Sequence, residues 1–378
     1  MPWMNGVENR SESASSRLSR SRRRQAGAVV LVALVTASSL ALGAMDRAHT
    51  APPSPASAPA SLASTSPSRY AIGTMVPALK LSRLQMLSAR VGVGVAPIVT
   101  FSGRLRRGYL VRTNDGGASW RVTGVFPLGV YPWTTAFISP RVGYAIDSTG
   151  ALYTADAGRT WAVVTTTGAP LSISVRGRVA WLFAEHCHHD AMNGPCATQL
   201  DVYDVGAVTP TSVAKVPGDQ PFASQVGPTS GYVLGSGSSD GVFATIDDGR
   251  TWRPADNPCR TGVSGGAAVS PTHLLLYCGV ASTILYVSSD GGATWQRRSS
   301  SSGGGFDVAS GSSGAYIWQF DTALWESHDG GGTWQSVTNV RFGPSGAITT
   351  YGVHDAWHAV PGHGIYRTTN GITWTLLR

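Results

Sequence analysis

The sequence predicts an all-β chain folded as a seven-bladed β-propeller of four-stranded blades, and three observations predict it. An eight-residue pattern recurs through the last three hundred residues, and the tryptophan that closes it returns at intervals of about forty residues. The composition combines 46 glycines and 12 tryptophans with only 13% charged residues, which suits short strands joined by tight turns better than charged amphipathic helices. A period of ~40–45 residues is the size of one four-stranded blade.

The pattern is Ser/Thr-x-Asp-x-Gly-x-Ser/Thr-Trp. It occurs from Thr113 to Trp120, Thr154 to Trp161, Thr245 to Trp252, Ser288 to Trp295 and Ser327 to Trp334. A sixth copy, Thr368 to Trp374, is one residue shorter and carries Asn370 in place of Asp. Successive tryptophans lie 41, 91, 43, 39 and 40 residues apart. The long interval holds two repeats, one of which has lost its box near Gln199 to Lys215, where Leu200-Asp201-Val202-Tyr203 still reads as the strand before it. That brings the count to seven. Each unit repeats internally as an apolar stretch, a strand such as Val142–Ile146, a strand such as Ala151–Thr154, the box, and a closing strand led by Trp. The box is expected to be the turn between the third and fourth strands, with Gly at positive φ and the Asp carboxylate accepting turn amides.

These residues resemble the Asp-box, or bacterial neuraminidase, repeat of sialidases, some glucan-cleaving hydrolases, sortilin-like receptors and the photosystem II assembly factors. The resemblance covers roughly Lys80 to Arg378. It implies an architectural role for Asp115, Asp156, Asp247, Asp290 and Asp329, and for Trp120, Trp161, Trp252, Trp295, Trp334 and Trp374, remote from any active site. Blade one starts near Lys80 and blade seven ends at the C-terminal residues, so each blade is expected from contiguous sequence. A strand from Tyr70 to Leu79 is available for closure but not required.

Ahead of the repeats the chain divides into a basic segment (1–25), an uncharged apolar run (26–45) and a Pro/Ala/Ser-rich linker (46–79). Twenty apolar residues can cross a hydrocarbon core of ~30 Å, and the arginines before them would stay cytoplasmic. A signal-anchor is therefore expected, with a single-pass protein at the cell membrane and the propeller extracytoplasmic. Small residues at Ala41-Leu42-Gly43 leave cleavage, and secretion, as the alternative. The linker composition cannot bury apolar surface and reads as a disordered spacer. Of the net charge of +8, half belongs to the N-terminal segment, where six arginines face Glu8 and Glu12. The remainder is too dilute for a nucleic-acid-binding stripe.

Four cysteines allow three pairings, and export makes disulfides reasonable. The favoured set is Cys187 with Cys196, pinning the insertion in blade three, and Cys259 with Cys278, joining the end of blade four to blade five. The run Glu185-His186-Cys187-His188-His189-Asp190 is the densest group of metal-ligand types in the chain. It matches no zinc spacing, and His186, His188, His189 and Asp190 read as a polar loop. No metal or cofactor is expected.

If the boxes mark one rim, the irregular sequence gathers on the opposite rim. Arg104, Arg106 and Arg107, Tyr131 and Trp133, and His363 fall there, and arginines with aromatics are typical binding anchors. The leading expectation is a non-catalytic binding or assembly module for a protein or glycan. The alternative is a sialidase-like or other glycoside hydrolase. Against it, no Arg-Ile-Pro signature occurs, and the propeller has only two glutamates, Glu185 and Glu326, the latter read as half of a surface ion pair. A carboxylate pair ~5–9.5 Å apart could still be drawn from Asp147, Asp190, Asp240, Asp321 and Asp355. Trp181, Trp318, Trp325 and Trp357 lie in strand-like runs and read as core.

Overall fold

In the first strands of the later units many side chains are small: Ala223, Ser224, Gly265, Gly266, Ala309 and Thr350 are examples. Small residues let backbones converge, and they converge on an axis. The structure, a computed structural model, describes residues 70–99, 105–187, 196–218, 222–235, 241–259, 262–279, 284–298, 307–320, 323–338, 340 and 347–377. These form seven antiparallel sheets, each of four strands in sequence order. Blades 1 to 7 span 83–125, 134–164, 169–215, 222–255, 263–298, 307–336 and 347–377.

The first strands are Arg83–Met86, Thr134–Phe137, Ala169–Arg176, Phe222–Gln225, Val263–Ala268, Asp307–Ser310 and Ala347–Tyr351. Each touches the next, and the seventh touches the first, so the ring is closed. Polar side chains stitch these strands together. Gln85 of blade 1 donates to the Phe137 carbonyl of blade 2 (3.0 Å) and accepts from the Phe137 amide (2.8 Å). Ser174 donates to Gln225, Ser224 accepts from the Ala268 amide, and Thr350 donates to the Ser310 carbonyl. Thr349 accepts from the Met86 amide across the last junction.

The seam between blades 7 and 1 is sealed by chain that precedes blade 1. Gly73, Thr74 and Val76 exchange backbone hydrogen bonds with Trp120 and Val122 on the fourth strand of blade 1 (Arg121–Val125). The run thus lies along that blade's outer edge through a β-bridge between Met75 and Arg121 and blunts it against pairing with other chains. A 3-10 turn at Ala78–Lys80 follows. Val76, Ala78 and Leu81 then pack with Trp120 of blade 1 and with Trp357, Ala359 and Ile365 of blade 7. Trp357 donates to the Gly116 carbonyl (2.8 Å), which ties the last blade to the first box.

Each residue of the box has its partner. In blade 1, the Gly117 amide donates to Thr113 Oγ1 (2.9 Å), and Thr113 in turn donates to Asp115. Asp115 Oδ1 accepts the Ser119 amide (2.9 Å), while Oδ2 accepts the Ser119 hydroxyl. The same bonds recur at Asp156, Asp247, Asp290 and Asp329. The residue after Asp and the Gly after that both have positive φ, where a side chain costs energy. In blades 1, 5 and 6 both are glycine, whereas Ala157 and Asp248 hold the first position in blades 2 and 4 at φ 65° and 60°. In blade 7, Asn370 Oδ1 accepts the amides of Ile372 and Thr373 and so replaces the carboxylate. Blade 3 turns without a box, through Ala207 to Asp204 and Thr211 to Val202 backbone bonds.

The closing tryptophan fills the space toward the preceding blade. Trp161 donates to the Val125 carbonyl of blade 1 (2.9 Å) and stacks on Phe126 with ring centroids 4.6 Å apart. Trp295 reaches the Asp256 carbonyl beyond blade 4. Trp374 donates to Glu326 Oε2 of blade 6 (3.1 Å). Trp120, Trp161 and Trp374 are buried, while Trp252, Trp295 and Trp334 are half-buried. Trp181, Trp318 and Trp357 lie in the core, and Trp325 is half-buried.

Glu326 corrects the expectation of a surface ion pair. It is only 3% exposed, accepts from Trp374 and from Gln335 (2.8 Å), and has His328 Nε2 at 3.5 Å. Its role is to satisfy an indole at a blade interface, since a buried N–H without an acceptor costs ~1–3 kcal/mol.

The Cys259–Cys278 disulfide is present and joins the chain leaving blade 4 to the second strand of blade 5 (Leu274–Cys278). Cys196 is also disulfide-bonded, and it stands opposite Cys187 in the ladder between Val179–Cys187 and Cys196–Asp204. The apolar run 26–45 and the linker up to residue 69 lie outside the described residues. Among those described, no helix is long and apolar enough to cross a membrane.

Candidate functional site

Antiparallel order dictates the two faces. The turns between first and second strands and between third and fourth strands, which include the boxes, share one face. Turns between second and third strands and the connections between blades share the other. Of the sequence-predicted binding residues, Tyr131, Trp133 and His363 lie on this second face.

The blade 1 to blade 2 connection runs through Leu128, Tyr131 and Trp133. Asp147 positions it: its Oδ2 accepts the Tyr131 amide (3.1 Å), and its Oδ1 accepts the amide (2.8 Å) and hydroxyl (2.6 Å) of Thr149. The carboxylate is buried and fully occupied by its own loop. Trp133 is held at both ends. Its amide donates to the Ile146 carbonyl, its carbonyl accepts Arg83 Nε (2.7 Å), and its indole N–H reaches the Leu171 carbonyl (3.4 Å). Arg83, Trp133 and Leu171 sit at the beginnings of blades 1, 2 and 3, so one bonded row crosses three blades beside the axis. Trp133 remains 39% exposed, and Leu128, earlier in the same connection, is 70% exposed. An aromatic fixed in place and still accessible loses little freedom on contact with a ligand.

His363 is exposed in the turn between the second and third strands of blade 7, on the same face. Arg106 and Arg107 belong by their backbone to the third strand of blade 1, Leu105–Thr113. Arg104 lies outside the described residues, as do His188, His189 and Asp190, while His186 closes the second strand of blade 3 beside Cys187. Among the described residues no group of three His, Cys, Asp or Glu side chains could hold a metal ion. Asp355 is engaged by Arg367 at 3.5 Å. Asp190, Asp240 and Asp321 lie outside the described residues. Sequence reasoning missed Arg83, because nothing local marks a first-strand arginine as the anchor of a tryptophan fifty residues away.

The box carboxylates are committed as well. Asp247 is held down to a pKa of about 2 by the amide and hydroxyl of Thr251, and Asp290 likewise by the hydroxyl and amide of Thr294. At Asp115, Asp156 and Asp329 partial burial pulls the other way, but the same bonds outweigh it and the pKa still falls. These groups stay ionised and serve their turns rather than general acid chemistry.

Seven four-stranded blades with the Asp-containing turns on one face make this a seven-bladed β-propeller. The family model described as BNR/Asp-box repeat matches residues 286–297. Among solved structures, the chain is similar to YCF48 from Cyanidioschyzon merolae, with a TM-score of 0.55 at 15% identity over 78% of this chain and 97% of that one. It is also similar to a structure described as YCF48 bound to D1 peptide, with a TM-score of 0.51 at 17% identity over 80% and 97%. An acylaminoacyl peptidase from Pyrococcus horikoshii matches at 0.54 and 10% identity, over 79% of this chain and 52% of that one. At these identities the likeness is one of fold. No curated protein matches the sequence.

Proposed function

We propose that this propeller is a non-catalytic binding or assembly module that holds a protein partner across the axial mouth opposite its boxes. The observation that carries the reading is Trp133, clamped by Arg83 and Leu171 yet still accessible, in a connection that also carries exposed Leu128. A peptide partner is favoured over a glycan because one similar propeller has been solved as YCF48 bound to D1 peptide. The occupation of Asp147 and Asp355 argues against the hydrolase alternative, which requires carboxylates free to exchange protons.

The reading places the domain outside the cytoplasm, tethered by residues 26–45 through a spacer that ends before residue 70, since 70–79 pack against blade 1. The Cys259–Cys278 bond supports it, since disulfides persist in oxidising compartments.

A photo-crosslinking amino acid at position 133 of the full chain, activated in intact cells, tests the mouth. One protein adduct is expected, absent when the crosslinker replaces exposed Ile246 on the box face. Turnover of fluorogenic glycosides by the purified chain, abolished by Asp147→Asn, would replace this reading with the hydrolase.

A further inference from the structure

The opposite, box-bearing face holds a second feature that the proposed function does not use. A groove of about 410 Å³ opens between the outer edge of blade 1 and the box turn of blade 2. Four arginines line it: Arg112 and Arg121 from blade 1, and Arg141 and Arg159 from blade 2. Its one carboxylate, Asp156, has both oxygens engaged by Thr160, so the groove carries a net charge of +3 from four guanidinium groups and one carboxylate.

Basic side chains on a folded surface are normally paired with carboxylates, and Asp156 pairs with none of these. Among the described residues none of the four arginines forms an ion pair. Among the described residues their side chains donate two hydrogen bonds: Arg112 Nε to Asn114 Oδ1 (2.8 Å) and Arg121 Nη1 to the Gly73 carbonyl (3.2 Å). Each guanidinium carries five donors, so most of the donors are left for solvent or a ligand. The walls are rigid. The Arg141 carbonyl accepts the Ala157 amide (2.8 Å), and the Gly158 carbonyl accepts the Val125 amide (3.0 Å), locking the blade 2 turns to each other and to blade 1. Ala157, itself in the lining, is held at a φ of 65°, a conformation unfavourable for a non-glycine residue.

We propose that this groove is a binding site for an acidic peptide segment, with Arg112, Arg121, Arg141 and Arg159 pairing its carboxylates. Arginine forks suit carboxylates because both donors of the plane can engage both oxygens. Two observations favour a peptide over other polyanions. Ile72, 52% exposed, forms part of the lining and offers an apolar foothold that a sulfated sugar would not use. The arginines also line a groove between two blades rather than a convex surface, which a planar bilayer would need. The site is separate from the Trp133 mouth and stands or falls independently of it.

The test is fluorescence anisotropy of the full-length chain with a labelled octapeptide of alternating glutamate and leucine. Saturable binding is expected, weakening as salt rises from about 0.05 to about 0.3 M. Arg141→Glu with Arg159→Glu should weaken it by about tenfold or more, since two attractions become repulsions. Both residues are exposed and neither side chain is part of the packing between blades, so the variant should fold. Arg141→Lys with Arg159→Lys, which keeps charge but loses the forks, should give an intermediate loss, and Trp133→Ala should give none. Unchanged affinity in the charge-reversal variant overturns the proposal. So does a wild-type chain that ignores the peptide but binds phosphatidylserine vesicles or a polysulfated oligosaccharide through the same arginines.

Discussion

Gly124 lies on the fourth strand of blade 1, where a β-carbon would fall 2.3 Å from the carbonyl carbon and oxygen of Gly158 in the box of blade 2. Backbone cannot yield there as a side-chain tip could. Gly124→Ala must therefore push the two blades apart, which threatens the Val125 to Gly158 bond (3.0 Å) and the Trp161 to Val125 bond (2.9 Å). Overpacking costs ~1–3 kcal/mol, and each lost hydrogen bond adds ~1 kcal/mol. Against this, alanine restricts the unfolded chain and returns ~0.4–1 kcal/mol. The net expectation is a destabilisation of about 2–4 kcal/mol. Urea unfolding followed by tryptophan fluorescence reads it directly, as a lower midpoint at constant slope. Gly265, on the first strand of blade 5, provides the control. It has open space around its β-position and no positive φ, so Gly265→Ala should be neutral or stabilise by up to ~1 kcal/mol. A Gly124→Ala protein within ~0.5 kcal/mol of the parent would refute the claim that blades 1 and 2 are in backbone contact.

Asp247 and Asp290 titrate near pH 2 when folded, below their ordinary value of 3.8. Their contribution is thus present above about pH 4 and is lost as pH falls toward 2. Replacing both by Asn should flatten the acid limb of a stability-versus-pH curve, and an unaltered limb would show that the turns do not depend on charge. Cys259→Ser with Cys278→Ser opens a loop with a sequence separation of 19 and should cost about 3 kcal/mol. The gap should narrow when the parent is measured under reductant, and a gap indifferent to reductant would exclude the crosslink as its source. Glu326→Ala strands the Trp374 indole and should cost about 1–3 kcal/mol, whereas Glu326→Gln keeps an acceptor and should cost less. Equal losses in the two variants, compared by urea midpoints, would contradict the acceptor role.

The repeat was legible because its chemistry is local. Ser/Thr, Asp, Gly and Ser/Thr of each octad bond one another within five residues, so the spelling survives wherever the turn does. Asn370 could be recognised as a substitute because an amide oxygen can accept the same amides. The blade without a box was also placed, because only its turn changed while Leu200–Tyr203 kept its strand pattern. What escaped depends on closing the ring. Glu326 meets Trp374 across 48 positions, and Gln85 meets Phe137 across 52. Neither residue is unusual for its own strand. The arginine groove escaped for a related reason: its two halves come from different blades, and 112, 121, 141 and 159 form no run in the sequence. Trp133 could be picked as a rim residue, but its clamp by Arg83 could not, since the partner lies in another blade.

The bond from Trp357 to Gly116 spans 241 residues, and its acceptor is finished long before its donor exists. During synthesis the flank of blade 1 that will receive blade 7 must wait, apolar and uncovered, until nearly the whole chain has emerged. Contacts this remote in sequence form slowly, so the wheel is expected to lock in a late step, distinct from the earlier formation of individual sheets. The short run at Gly73–Val76, already laid along blade 1, can shield part of that waiting edge from other nascent chains.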